Sequence, residues 1–217
     1  MQLLDLNEKQ DNKEPLTNFD GDRYPESYLI PHLGTGKWDG HFYVSGATGS
    51  GKSFLIQQII ANDLRKRAIW YYSDFIFDPS LQILYDQARI SKAPNMKFDD
   101  PRLEGTIVLF DDCTKKENLK LRDDLLEKGR HTDTVVFCVN HKHRQWKATM
   151  IPLNESRWII TFPSANKPVA IKILQGMALN PKDAKAVVNQ SVEDGRYLII
   201  HQFFPNILIT QKSVINI

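Results

Sequence analysis

The chain has 217 residues, 41% hydrophobic and 25% charged, with a formal net charge of +2. That length can bury a real core without disulfide or metal staples, and a near-neutral balance neither demands nor excludes a nucleic-acid partner. With only two cysteines, no low-complexity segment and no apolar run long enough to span a bilayer, the composition excludes a disulfide scaffold and a membrane-spanning protein.

Residues 1 to about 40 are polar and lean acidic, punctuated by Pro15, Pro25, Pro31, Gly34 and Gly36, and read as an arm or strap without a core of its own. The opening MQLLDLNEKQDNKEP has no basic segment followed by an apolar one, so it does not read as a secretory leader. GTGK at Gly34 to Lys37 reads as a plain loop, because no strand precedes it. From His41 the pattern alternates. It gives a strand at HFYVSG, a helix over KSFLIQQIIANDLRK, a strand at AIWYYSDF and a helix around LQILYDQAR. A strand at TIVLFDD, a helix over ENLKLRDDLLEKG and strands at TVVFCVNH and WIITF follow. Near-continuous apolar strands separated by periodic helices predict an α/β fold with a mainly parallel central sheet covered by helices on both faces. Residues 41–163 form the core of this reading. Residues 164–217 read as an extension of the same domain, with helices at PVAIKILQGMAL and NPKDAKAVVNQ and two strands in RYLIIHQFFPNILIT joined at Pro205 and Asn206. Cys113 and Cys138 fall at or within apolar strand-like runs, as reduced, partly buried thiols of an intracellular protein do.

The strongest chemical signal is GATGSGKS, Gly46 to Ser53, which satisfies G-x-x-x-x-G-K-[ST] at a strand-to-helix junction. Glycines at 46, 49 and 51 allow a positive φ and let the main chain curl around an anion. The backbone N–H groups of Gly46, Ala47, Thr48, Gly49, Ser50, Gly51, Lys52 and Ser53 thus form a phosphate cradle at a helix N-terminus. Lys52 is expected to reach the β- and γ-phosphates, and the Ser53 hydroxyl to hold Mg²⁺.

TIVLFDD ends an apolar strand with two carboxylates. Beside a phosphate loop, Asp111 reads as the partner of Mg²⁺ and Asp112 as the base that activates water. Asn140, at the end of the next strand, stands where its amide can sense a γ-phosphate, although a plain turn residue fits the same position. NHKH at Asn140 to His143 lacks the aspartate of a guanine-reading motif, and His141 and His143 have no companion ligands to make a metal site. Arg130 follows a helix that stops near Gly129. It reads either as a solvated helix-end cation or as a finger that enters a neighbouring copy's site.

GATGSGKS, VLFDDC, EKGRH and VVFCVNH, in this order and at these separations, resemble the poxvirus-type genome-packaging ATPases of the FtsK–HerA superfamily. The similarity covers roughly Phe42 to Phe162, and the pairing of DD-C with G-R-H carries it. The resemblance implies a RecA-like P-loop domain with an added strand between the two Walker strands. It also implies a homo-oligomeric ring that hydrolyses ATP with Mg²⁺ to drive double-stranded DNA into a viral capsid or its portal vertex, in host cytoplasm or virion. Lys52 and Ser53 then stand as the Walker A pair, Asp111 and Asp112 as the Walker B pair, Arg130 as the trans-acting finger and Asn140 as the sensor. Asn140 and Asp112 are shorter than the glutamine and glutamate found in many relatives. Lys115, Lys116, Lys120, Arg122, Lys128, Arg130, Lys142, Arg144 and Lys147 offer a phosphate-tracking face. The same cations also suit a solvated helix. A small-molecule or nucleoside kinase, with Asp74 as an acceptor contact, is the competing reading.

Overall fold

The computed structural model describes residues 2–5, 31, 33–34, 38–74, 78–141, 146–164, 166–202, 207–210 and 213–216. Among the described residues ten strands form one sheet. From one edge to the other they are β1 (Gln2–Asp5), β10 (Ser213–Asn216), β9 (Ile207–Ile209), β8 (Leu198–His201), β7 (Ser156–Thr161), β2 (His41–Ser45), β6 (Val135–Asn140), β5 (Ile107–Asp111), β3 (Ile69–Ser73) and β4 (Ile90–Lys92). The run from β7 to β4 is parallel throughout. The run from β7 back to β1 is antiparallel, so the C-terminal strands extend the sheet rather than build a separate unit.

Six α-helices are described: α1 (Lys52–Ala61), α2 (Gln82–Asp86), α3 (Lys116–Lys128), α4 (Trp146–Glu155), α5 (Lys167–Gly176) and α6 (Pro181–Asp194). The period-two alternation of the strands sorts the core into two layers. Phe42, Val44, Leu109, Phe137 and Val139 pack with α1 and α2 on one face. Tyr43, Val108, Phe110, Val136 and Cys138 pack with α3, α5 and α6 on the other. Phe42 and Phe137 stack with ring centroids 4.3 Å apart across the β2–β6 pair. A sheet buried on both faces has to read as continuous apolar runs, and β2 is buried at all five positions.

Several elements depart from the sequence reading. The helix expected to run through Lys66 ends at Ala61, because Asp63 turns inward and its carboxylate accepts the main-chain N–H of Arg67 at 2.8 Å. The helix expected around LQILYDQAR is the five-residue α2, entered through a tight turn at Pro79–Leu81. The sequence did not signal β1, β4, β10 or α4, the last carrying Pro152 in its interior. The N-terminal arm was read as a strap without a core of its own, and its Gln2–Asp5 segment pairs with β10 at the rim of the sheet. Most of the rest of that arm and the joint at Pro205 and Asn206 lie outside the described residues. Both cysteines are free, and burial pushes each thiol up to about 12, which makes them inert packing groups.

At the N-terminal ends of the parallel strands the sheet is closed by a buried ionic network. Arg67 Nη2 donates to Asp39 at 2.7 Å and to Asp63 at 2.9 Å, and Arg89 Nη2 donates to Asp63 at 2.9 Å. Asp39 Oδ1 accepts the Gly34 N–H at 2.8 Å, so each oxygen of these two carboxylates has a partner. Burial pushes the Asp63 carboxyl up, but the hydrogen bonds and charge of Arg67 outweigh it and hold the group below its ordinary value.

Candidate functional site

At the opposite ends of the same strands, where ligands of open α/β sheets bind, the molecule opens into a cavity of about 670 Å³. One wall is the loop between β2 and α1. Gly49 and Gly51 have φ of 76° and 99°, in the left-handed region expected of them. Gly46 does not, and its need for glycine is spatial: a Cβ there would lie 2.8 Å from Ser50 Oγ and 3.0 Å from the Phe162 ring. Gly51 caps α1 with no side-chain hydrogen bond, and the first turn carries no acidic residue. The helix therefore presents uncapped N–H donors and the positive end of its dipole.

Lys52 is 4% exposed and folds back on its own loop, donating from Nζ to Gly46 O and Ala47 O at 2.9 Å each. Burial holds its pKa below the usual lysine value, against the pull of Asp112, Asp111 and Asp78. Ser53 also lines the cavity, together with Thr48 and the 57% exposed ring of Phe54.

The facing wall is the end of β5. The strand pleat sets Asp111 on the same face as Leu109, toward α1. Its Oδ2 accepts the Tyr71 hydroxyl at 3.0 Å, while Oδ1 is buried and has no partner among the described residues. Burial is the main cause that raises the Asp111 pKa. The neighbouring Asp112 adds to it, and the Tyr71 hydrogen bond partly offsets it. Asp112 has φ of 47°, a left-handed conformation stabilised by its N–H donating to Val139 O at 3.1 Å.

The sequence reading and the geometry agree on Lys52, Ser53, Asp111 and Asp112, which line one cavity. They part at the end of β6. Asn140 follows the pleat onto the face of Tyr43 and hydrogen-bonds that tyrosine, outside the residues that line the cavity. The next residue, His141, enters the cavity instead, with Nε2 2.8 Å from Asp112 Oδ2. Asp78 is a second residue the sequence reading missed. It lines the cavity and caps the turn at Pro79–Leu81 by accepting the Ser80 N–H at 2.8 Å. An Asp-Pro pair after a strand was the signal available for it.

Arg130 is exposed in the turn Gly129–Thr132, beyond the N-terminal end of β6. It lies at the N-terminal ends of the parallel strands, opposite the cavity, so it does not join the Lys52 group within one chain. Of the cations read as a DNA-tracking face, Arg122 is buried against Asp123 and Lys128 is paired with Asp124. Lys115, Lys116 and Lys120 are exposed, while Lys142, Arg144 and the side chain of Lys147 lie outside the described residues.

The uncapped helix N–H groups and the desolvated ammonium are donors that suit an anion, while the buried Asp111 oxygen is an acceptor that suits a cation or a proton donor. Among the described residues no helix is long and apolar enough to cross a membrane. No protein-family model matches the chain and no curated protein matches it.

Proposed function

We propose that the chain is an ATP-hydrolysing P-loop motor with a RecA-like core, which works as a homo-oligomeric ring to move double-stranded DNA into a viral capsid at its portal vertex. The observation that carries the nucleotide part is the meeting of Lys52, Ser53, Asp111 and Asp112 in one cavity at the strand ends. The order β2-β6-β5 supports it, since one strand separates the loop strand from the aspartate strand, as the resemblance implies. The DNA and ring parts rest on the likeness of the four motifs to packaging ATPases.

In this reading the loop N–H groups and Lys52 grip the β- and γ-phosphates, and Asp112 accepts the proton of the attacking water. Ser53 Oγ and the unpartnered Asp111 Oδ1 are hard oxygen donors of the kind Mg²⁺ takes alongside phosphate oxygens. When bound, Mg²⁺ would neutralise charge developing on the phosphates. Arg130, exposed at the far edge, is available to a neighbouring subunit's site.

The test is phosphate release from MgATP, with and without duplex DNA, across protein and salt concentrations. Stimulation by DNA and a cooperative rise with protein concentration are expected, and Lys52→Ala should cost at least about 10²-fold in rate. Transfer of the phosphoryl group to a small molecule would favour the kinase reading. Calorimetry that finds no nucleotide uptake in magnesium would end the proposal.

A further inference from the structure

His141 holds both chemical partners of the proposed reaction at once. Its main-chain N–H donates to Asp112 Oδ1 at 2.9 Å and its Nε2 lies 2.8 Å from Asp112 Oδ2, so one residue occupies both carboxylate oxygens. Its other ring nitrogen, Nδ1, lies 3.1 Å from Thr48 Oγ1 and 3.3 Å from Lys52 Nζ. An ammonium only donates, so Nδ1 is the acceptor, and Nε2 then carries the proton that Asp112 accepts. With Gly46 O and Ala47 O as its other partners, Lys52 has spent its three donors inside its own protein.

We propose that His141 is a latch, a positioning residue that pairs Lys52 with Asp112 in an inhibited arrangement and releases both when a triphosphate takes the lysine. The inference rests on the nucleotide reading above and adds a regulator to that site. Charged phosphate oxygens bind an ammonium roughly twice as strongly as neutral acceptors do, so a γ-phosphate wins Lys52 from two carbonyls and an imidazole. The ring then loses one of its anchors and can turn away from Asp112, uncovering the oxygen that must accept a proton from water. Without a nucleotide the base stays covered.

The expected sign separates a latch from a structural histidine. Removing contacts that compete with the nucleotide should tighten binding, whereas removing a structural support should weaken it. His141→Ala should bind MgATP about 3- to 10-fold more tightly in calorimetry. Its KM should fall by a similar factor, because the nucleotide no longer has to displace the ring from Lys52. Thr48→Val removes only the far anchor and should tighten binding about 2-fold. In the wild-type protein, the ring ¹⁵N resonances of His141 should move on adding a nonhydrolysable Mg-triphosphate and stay put with MgADP.

Unchanged or weaker nucleotide affinity in both variants overturns the latch. If His141→Ala fails to fold, Thr48→Val and the wild-type ¹⁵N spectrum decide, and resonances unmoved by saturating triphosphate overturn it equally. Wild type that binds and hydrolyses ATP while the variants do not tighten removes the latch alone. Wild type that binds no nucleotide removes the underlying reading with it.

Discussion

The two ends of the parallel strands carry similar charges and treat them oppositely. At the N-terminal end, Asp39, Asp63, Arg67 and Arg89 are all buried and their carboxylate oxygens are all paired. At the C-terminal end Lys52, Asp111 and Asp112 face a cavity with a histidine between them, and one buried carboxylate oxygen has no partner among the described residues. Arginine forks suit bonds that never need to open, while lysine and histidine exchange partners easily. The contrast separates a charge set built to hold the sheet from one left ready for a ligand.

Arg130 breaks the symmetry of that comparison and carries the largest expected effect. It stands at the structural edge, yet beyond a 3.5 Å contact from its Nε to His131 it belongs to no part of the network. Arg130→Ala should lower ATP turnover about 10³-fold or more while nucleotide binding stays intact. Stability should stay within about 0.5 kcal/mol of wild type. Normal turnover in that variant would return Arg130 to the role of a solvated cation.

Asp63→Ala tests the closed edge directly. It leaves the buried Arg89 guanidinium without a carboxylate and Arg67 with Asp39 alone, and should cost about 3–5 kcal/mol in chemical denaturation. A loss below about 1 kcal/mol would show that water reaches the network and that the two ends of the strands treat their charges alike.

His41 offers a milder probe of the same edge. Its Nδ1 accepts the Val136 N–H at 3.1 Å, and burial lowers its pKa to about 4. The folded state therefore binds its proton later than the unfolded chain, whose value is near 6.5. Stability from this group is complete above about pH 6.5 and should fall by up to about 3 kcal/mol as the pH drops to 4. His41→Gln, which keeps an acceptor but no titration, should flatten that limb of a stability-versus-pH curve.

The smallest effect, of opposite sign, belongs to the open edge. Burial raises the Asp111 pKa, so its ionised form is disfavoured in the folded state and stability should rise as the pH falls through that raised value. Asp111→Asn keeps an acceptor for Tyr71 and should stabilise the protein by on the order of 1 kcal/mol while abolishing turnover. A destabilised Asp111→Asn would contradict the division between the edges.

Local signals were legible and non-local ones were not. The phosphate-loop pattern, the strand-end aspartates and the apolar runs are set by residues adjacent in sequence, and they located β2, α1, β5 and β6 and the main features of the cavity. The role of Gly46 was misread as conformational, because the crowding by Ser50 and Phe162 depends on the folded loop. Asn140 and His141 differ by one step of a pleat, and only the place where β6 ends decides which side chain reaches the cavity. The ionic network joins residues from separate loops, and no periodicity announces such pairings. The three-residue β4 is too short for an alternation to register, and Pro152 masks α4 because proline argues against a helix interior.

The pairing of Gln2 with Asn216 gives the fold a late-closing seam. Nearly the whole chain lies between the two partners, so the entropy lost in bringing them together is recovered only after the interior parallel strands have formed. Amide hydrogen exchange should find the β1–β10 rim opening well before β2, β5 and β6. A protease offered the native protein should nick that margin first and leave the cavity between Lys52 and Asp111 assembled.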